Sequence, residues 1–382
     1  MNSRERLQRA KIVMKEGATP GQPKYAQIYE CLVASLTSGE YREGARLPSE
    51  TDLVRRFGAS RMTIIRALND LERDGYVTRK AGSGTYAATR AENEVRHFGL
   101  IIPSLGETEI FEPICQGLAS FPFASKHCLL WGNIAGTGTP REEAAEQLCA
   151  DYIQQHVSGV FFAPLELIPH MDKVNHRIVS ALERAHIPLV LLDRCICPYP
   201  KRSKYDMVGV ASKSAAYCAT EHLIELGAKR IAFIGKDHSA PTVEARIAGY
   251  REALFAHGML KLGDLVTHGN PADETYIRSV LKKFRPDAFF CANDLTAASL
   301  MQVLLGLGIH MPDEIRIVGF DDVKYASLLP IPLTSMHQPC IDIGRAAMAT
   351  MLERINNPNA ATRDVLLHCN LVVRQSCGTK QN

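Results

Sequence analysis

Apolar residues in the first ninety positions recur first at helical and then at strand spacing. In "KYAQIYECLVASLTSG", Ile28, Cys31, Leu32 and Leu36 fall three and four apart before Gly39, which predicts a helix ended by a glycine. "LPSETDLVRRF" predicts a second helix that starts at a capping box, Ser49 with Asp52 three residues on, and ends near Gly58. Ser60 caps a third helix, "SRMTIIRALNDLERDG", with Ile64, Ala67, Leu68 and Leu71 as its inward stripe and Gly75 as its stop. Met62, Arg66, Asn69 and Arg73 lie opposite that stripe, and Ser60, Arg61 and Thr63 occupy the exposed first turn. "GYVTRKAGSGTYAAT" then reads strand, turn, strand: Val77 and Thr78 lead in, Gly82 and Gly84 mark the tip, and Thr85 leads out. Its Gly-x-Gly is no phosphate loop, because no helix follows and no Lys-Ser or Lys-Thr closes the motif.

Beyond a polar stretch, "ATRAENEVRH", the pattern changes to short apolar runs alternating with helical segments, which predicts parallel α/β layers. The runs are "FGLIIP", "HCLLWG", "SGVFFAP", "IPLVLLD", "DMVGVA", "RIAFIG", "DLVTHG", "DAFFCAND", "IRIVGFDD" and "LTSMHQP". These are too many for one half-sheet unit, so two similar lobes are expected. Neither half opens with the G-x-G-x-x-G of a dinucleotide site.

Charge sharpens the picture by region. The first 89 residues hold 15 Lys and Arg against 10 Asp and Glu, whereas the whole chain is only +3. Residues 53–69 carry four arginines and no acid, a field suited to a polyanion, and helix spacing aims the leading end of the third helix at a DNA major groove. The glycines of the hairpin tip would let backbone approach the sugar-phosphate chain, and a simple tight turn explains them equally well. The N-terminus, "MNSRERLQRAKIVMKEG", lacks the apolar centre of a secretory signal, and no apolar run is long enough for a membrane helix, so a cytoplasmic protein without membrane partners is expected. The 11 cysteines then read as reduced packing thiols, and Cys195 with Cys197 lacks the neighbours of a zinc site. No catalytic residues, metal or cofactor are expected.

The carboxyl ends of strands in open α/β sheets bind ligands, and here they carry Asp193, Arg194, Asn293, Asp321 and Gln338, with Arg246 in the helix "EARIAGY". Such fork-shaped groups can each meet two neighbouring hydroxyls, which points to a polyhydroxylated ligand. Any one of these acids can instead be a helix cap. Trp131, Phe111 and Phe320 are read as core residues or as flat apolar faces for a ligand.

Two resemblances complete the reading. "LPSETDLVRRFGASRMTIIRALNDLERDGYVTRKAGSGTY" resembles the winged helix-turn-helix of the gluconate-repressor (GntR) family of bacterial transcription factors, over about residues 24–88. It implies that Arg61 contacts bases or phosphates, with Ser60 and Thr63 on phosphates and the Gly82 and Gly84 tip in the minor groove. Ser49, Arg66 and Thr85 complete the expected DNA-contacting set. Thr51 and Ile65 stand where many members have arginine. "IPLVLLDR", "HLIELGAKRIAFIG", "RIAGYREAL", "PDAFFCANDLTA", "IVGFDD" and "LTSMHQP" resemble the effector domain of the lactose/galactose-repressor (LacI) family, which is similar to periplasmic sugar-binding proteins. It implies that Asp193, Arg194, Arg246, Asn293, Asp321 and Gln338 line a sugar pocket, with Phe320 beside them. Three crossings between lobes are expected near 211–214, 332–338 and 357–364. The combination is that of arabinose repressors.

The expected organisation is a basic tail (1–22), a winged head (23–89), a linker (90–97), a two-lobed α/β sensor (98–377) and a tail (378–382). Lobe 1 takes about 98–211 and 338–357, and lobe 2 about 212–332 and 364–377. The expected function is a sequence-specific repressor that binds operator DNA as a homodimer under control of a sugar or sugar-derived effector. The alternatives are a sugar-acting α/β enzyme with an accessory winged domain, and an architectural DNA protein indifferent to ligand.

Overall fold

The computed structural model describes residues 23–37, 40–42, 44–73, 75–80, 83–87, 95–102, 109–121, 127–132, 140–259 and 265–379, the side chains of Thr37 and Arg73 excepted. They form two compact units divided after residue 94. The expected tail 1–22, the linker stretch 90–94 and Gly82 lie outside the described residues.

The head holds helices α1 (Lys24–Thr37), α2 (Glu50–Phe57) and α3 (Arg61–Arg73), then strands β1 (Val77–Lys80) and β2 (Gly84–Ala87) in an antiparallel hairpin. The capping box forms as the sequence dictates: Ser49 Oγ accepts from Asp52 N–H at 3.2 Å, and Asp52 Oδ2 accepts from Ser49 N–H at 3.3 Å. Gly58 closes α2 in the left-handed region at φ 56°, so the chain can turn at once into α3. Ile28, Leu32, Leu53, Ile64, Ala67, Leu68 and Leu71 are buried in one core, as the helical spacing requires. In the hairpin Lys80 pairs with Gly84, whose φ of 127° demands glycine; a Cβ there would also lie 2.7 Å from Arg46 Nε, which the arginine side chain can relieve by turning aside.

The second unit begins at Val95, three residues before the expected start, because β3 (His97–Ile101) already pairs at His97 with Cys128. Its first sheet is six-stranded and parallel, with β4 (Cys128–Trp131), β5 (Gly159–Phe162), β6 (Leu189–Leu192), β7 (Asp206–Val210) and β13 (Asp364–Leu367), in the order β13-β7-β6-β5-β3-β4. The second sheet contains β8 (Ile231–Gly235), β9 (Val266–His268), β10 (Ala288–Cys291), β11 (Arg316–Asp321), β12 (Thr334–His337) and β14 (Asn370–Val372), in the order β14-β12-β11-β10-β8-β9, with only β14 antiparallel. Buried strands such as β5, β6 and β10 show no alternation because helices cover both faces of each sheet. On lobe 1 the helices are α4 (Phe111–Ala119), α5 (Arg141–Gln154), α6 (Met171–Arg184) and α11 (Cys340–Asn356). On lobe 2 they are α7 (Ser212–Glu225), α8 (Pro241–Ala256), α9 (Glu274–Phe284) and α10 (Asp294–Gly306).

The chain crosses between lobes after β7, after β12 and between β13 and β14. The third crossing is therefore at His368 and Cys369, and not within 357–364 as the sequence suggested. Residues 364–367 belong to lobe 1, where Asp364 to Leu367 pair with Met207 to Val210. "DVLLHCNLVV" holds two short strands, each in a different sheet, within a single apolar run, so spacing alone does not separate them.

Candidate functional site

On the head, α3 presents its first turn as expected. Ser60 Oγ accepts from Thr63 N–H at 3.2 Å and lies 2.7 Å from Thr63 Oγ1, so Ser60 starts the helix while both hydroxyls stay at its leading end. Arg61 is 77% exposed and is aimed by Glu50, whose Oε2 is 3.1 Å from its Nε. The other Glu50 oxygen receives Arg79 from the hairpin at 2.7 Å, and Arg79 also donates to Asn69 Oδ1, so one network ties α2, α3 and the wing together. Arg66 is exposed on α3 with its guanidinium stacked 3.7 Å over the Tyr25 ring.

Thr85 is a correction. It is 8% exposed and faces the head's interior, because alternation along β2 buries Thr85 and Ala87. The outward position is Tyr86, whose hydroxyl bonds Ser83 at 2.6 Å with Lys80 over its ring. Ser49 is exposed but its hydroxyl is engaged with Asp52 at 2.6 Å.

In the second unit the expected effector residues converge where the crossings meet. Asp193 follows β6, Asp321 ends β11, Gln338 follows β12, and Arg246 reaches in from α8. Gln338 Nε2 donates to Asp321 Oδ1 at 2.6 Å, and Arg246 stands 3.8 Å from the same oxygen while donating to Ala292 O. Arg194 lies between Asp193 Oδ2, 3.0 Å from its Nε, and Glu166. Burial works against the Arg194 charge, but Glu166 and Asp193 outweigh it and hold the guanidinium ionised. Asp193 Oδ1, Gln338 Oε1 and Arg246 Nε are buried with no hydrogen-bond partner, and the three residues are 4%, 2% and 4% exposed. Buried polar atoms are rarely left so, and these three gather at the carboxyl ends of the strands of the two lobes.

Two expected residues take other roles. Asn293 caps α10, its Oδ1 accepting from Thr296 N–H at 2.9 Å. Phe320 is fully buried and carries the Arg246 guanidinium 3.7 Å above its ring, so its flat face positions a cation and is not open to a ligand. Phe111 is buried with Arg194 5.5 Å from its ring centroid, and Trp131 is 64% exposed on edge strand β4.

Sequence reasoning missed the residues that join the lobes across the mouth of the cleft. Glu166 Oε2 accepts from Ala240 N–H at 3.1 Å, Leu167 N–H donates to His238 O at 2.7 Å, and Glu109 Oε2 accepts from Lys324 N–H at 3.1 Å. Glu166 stands just past the carboxyl end of β5, the position that singled out Asp193 and Asp321, so the same rule could have found it.

Asp294 supports the floor. Its Oδ1 accepts from Ser335 Oγ–H at 2.6 Å and its Oδ2 from Val323 N–H at 3.0 Å. Burial, with Asp321 nearby, pushes it up to about 8. A carboxyl raised on folding stabilises fully below its unfolded value and loses that contribution as pH rises through its folded value. Asp294 therefore contributes more to the melting temperature at pH 6 than at pH 8.5. Asp294→Asn, whose amide oxygen can still accept from Val323 N–H while its NH2 donates to Ser335 Oγ, should shrink that difference; an unchanged pH slope in calorimetry would contradict the assignment.

Comparison with known proteins places both units. Residues 24–87 match the model of bacterial regulatory proteins of the gntR family, and residues 220–377 match a periplasmic binding protein-like domain. An arabinose metabolism transcriptional repressor of Geobacillus stearothermophilus is 26% identical over 370 residues, covering 93% of this chain and 97% of that protein. Among solved structures, the transcription regulator GntR from Chromobacterium violaceum superposes with a TM-score of 0.59 at 26% identity, over 74% of this chain and all of that one. A transcriptional regulator CelR–cellobiose complex gives a TM-score of 0.62 at 23% identity over 97% of this chain and 99% of that one, a likeness of fold. The chain thus joins a winged helix-turn-helix head of the gntR family of bacterial regulatory proteins to a two-lobed, periplasmic-binding-protein-like α/β body.

Proposed function

We propose that this protein is a transcriptional repressor whose grip on operator DNA is set by a polyhydroxylated small molecule held between the lobes of its body. The observation that carries this reading is the buried cluster of Asp193, Arg194, Arg246, Asp321 and Gln338, with three polar atoms lacking a partner, on a chain whose head presents Arg61 and the first turn of α3. The ligand closes hydrogen bonds that the protein leaves open and so favours one arrangement of the lobes. Two such chains acting as a homodimer would place two recognition helices on half-sites one DNA turn apart. The relative from Geobacillus stearothermophilus, named for arabinose metabolism, and the solved complex with cellobiose support a sugar-type effector. A sugar-acting enzyme is disfavoured because these relatives are named as regulators and the cluster contains no nucleophile with an adjacent base.

The test selects duplexes from a random pool with the full chain, then measures affinity for the selected DNA with and without a panel of pentoses, hexoses and disaccharides. A ligand that raises the melting temperature should change DNA affinity about 5- to 150-fold. Failure to enrich any sequence, or a bound sugar that leaves DNA affinity unchanged, would refute the reading.

A further inference from the structure

The charge of the cleft narrows the ligand further, on the reading above that a polyhydroxylated molecule is held there. Three carboxylates, Glu166, Asp193 and Asp321, share the site with two guanidiniums, so acids outnumber the fixed cations, and of the two guanidiniums Arg194 is engaged by two carboxylates while Arg246 keeps its Nε without a partner. Arg194 is taken by Glu166 and Asp193, and Arg246 by Asp321, Ala292 O and the Phe320 ring. A helix N-terminus ordinarily attracts anions, but that of α8 is already covered: the Ala240 N–H donates to Glu166 at 3.1 Å. Asn293 likewise covers the start of α10 through its bond from Thr296 N–H. What remains open is two acceptors, Asp193 Oδ1 and Gln338 Oε1, against one donor, Arg246 Nε, all buried and unpartnered. The ligand must therefore bring O–H or N–H donors. Burial, offset in part by Arg246 and reinforced by Asp193 and Glu166, pushes Asp321 up to about 7, as a site already rich in negative charge requires.

We infer that the cleft selects neutral or amine-bearing polyols over their phosphates and carboxylates, and that Glu166 sets this preference by neutralising Arg194. Glu166 is then a specificity determinant as well as a link between the lobes. Its charge lies on Arg194, a guanidinium that could otherwise clamp a phosphate in bidentate fashion.

Matched sets test this on the full chain by melting temperature and titration calorimetry: glucose, glucosamine, glucuronate, glucose 6-phosphate and, as a neutral control for bulk, 6-O-methylglucose, with ribose and ribose 5-phosphate as a second set and cellobiose as a third. Whichever parent binds, its phosphate or carboxylate should bind at least about 10-fold more weakly, because like charges brought together in a buried site are costly. Glu166→Gln should narrow that gap, and Glu166→Asp, which keeps the charge, should retain it. An anionic member that binds as tightly as its parent overturns the inference while leaving the polyol reading intact, and a gap unmoved by Glu166→Gln overturns the role of Glu166. Silence across all three sets overturns the polyol reading itself, and this inference with it.

Discussion

Arg246→Met removes most or all of the rise in melting temperature that a cleft ligand gives the unaltered chain, while the chain still folds. A ligand at about 100 times its dissociation constant adds about 2.7 kcal/mol to the stability of its binding protein. Removing a buried, hydrogen-bonded charge from a binding site costs about 2–5 kcal/mol of affinity, so at the same ligand concentration the response falls to under about 1 kcal/mol and, at the upper end of that range, to nothing. Folding survives because of the neighbouring acid. A charged Asp321 left without its guanidinium would cost about 3–5 kcal/mol, but its carboxyl already sits at about 7 and takes up a proton instead. The sign follows from that raised value. Without Arg246 the Asp321 value climbs further above its unfolded one, so the variant loses stability relative to the unaltered chain as pH rises from 6 to 8.5. Phe320 loses the cation on its face, and methionine fills part of the space. A variant that kept the full ligand-induced rise would remove Arg246 from the site.

Gly344→Ala should be the more damaging change to the fold, although it adds one methyl group. At Gly344 the helices α4 and α11 approach so closely that a Cβ would lie 2.1 Å from Ile114 O and 2.6 Å from Leu118 N. The contact is reciprocal, since a Cβ on Gly117 would lie 2.1 Å from Ile341 O. Both neighbours are backbone, so no side chain can turn aside, and the helices must part along a buried face. The expected loss is about 3 kcal/mol, at the upper end for overpacking, which for a body of this size lowers the melting temperature by roughly 6–12 °C. The effect should reach the ligand as well, because α11 starts two residues after Gln338 and carries the second crossing. Denaturant unfolding of the full chain, read alongside ligand titration, checks both parts; a variant as stable as the original would show that the two helices can separate freely.

Local signals carried much of what these residues do. Ser49 and Asp52 specify a helix start within four residues, and the stripe Ile64, Ala67, Leu68 and Leu71 fixes which face of α3 turns inward, so the head's layout and the exposure of Arg61 were legible from spacing alone. The same holds for strands with continuous apolar runs, and for the rule that polar groups at their carboxyl ends meet a ligand, which pointed to Asp193, Asp321 and Gln338. Tertiary structure decided what pairing and packing control. Alternation along β2 buried Thr85 once the hairpin register was set, and a run shared by β13 and β14 was split between two sheets that lie far apart in sequence. Phe320 became a bed for Arg246, and Asn293 a cap, because each side chain met a neighbour before any ligand could. Glu166 acquired its role only when folding brought Arg194 and the Ala240 N–H to the same carboxylate from two lobes. Periodicity and capping act over a few residues and are written in the chain, whereas the partner of a buried charge is chosen by contacts that only the closed fold creates.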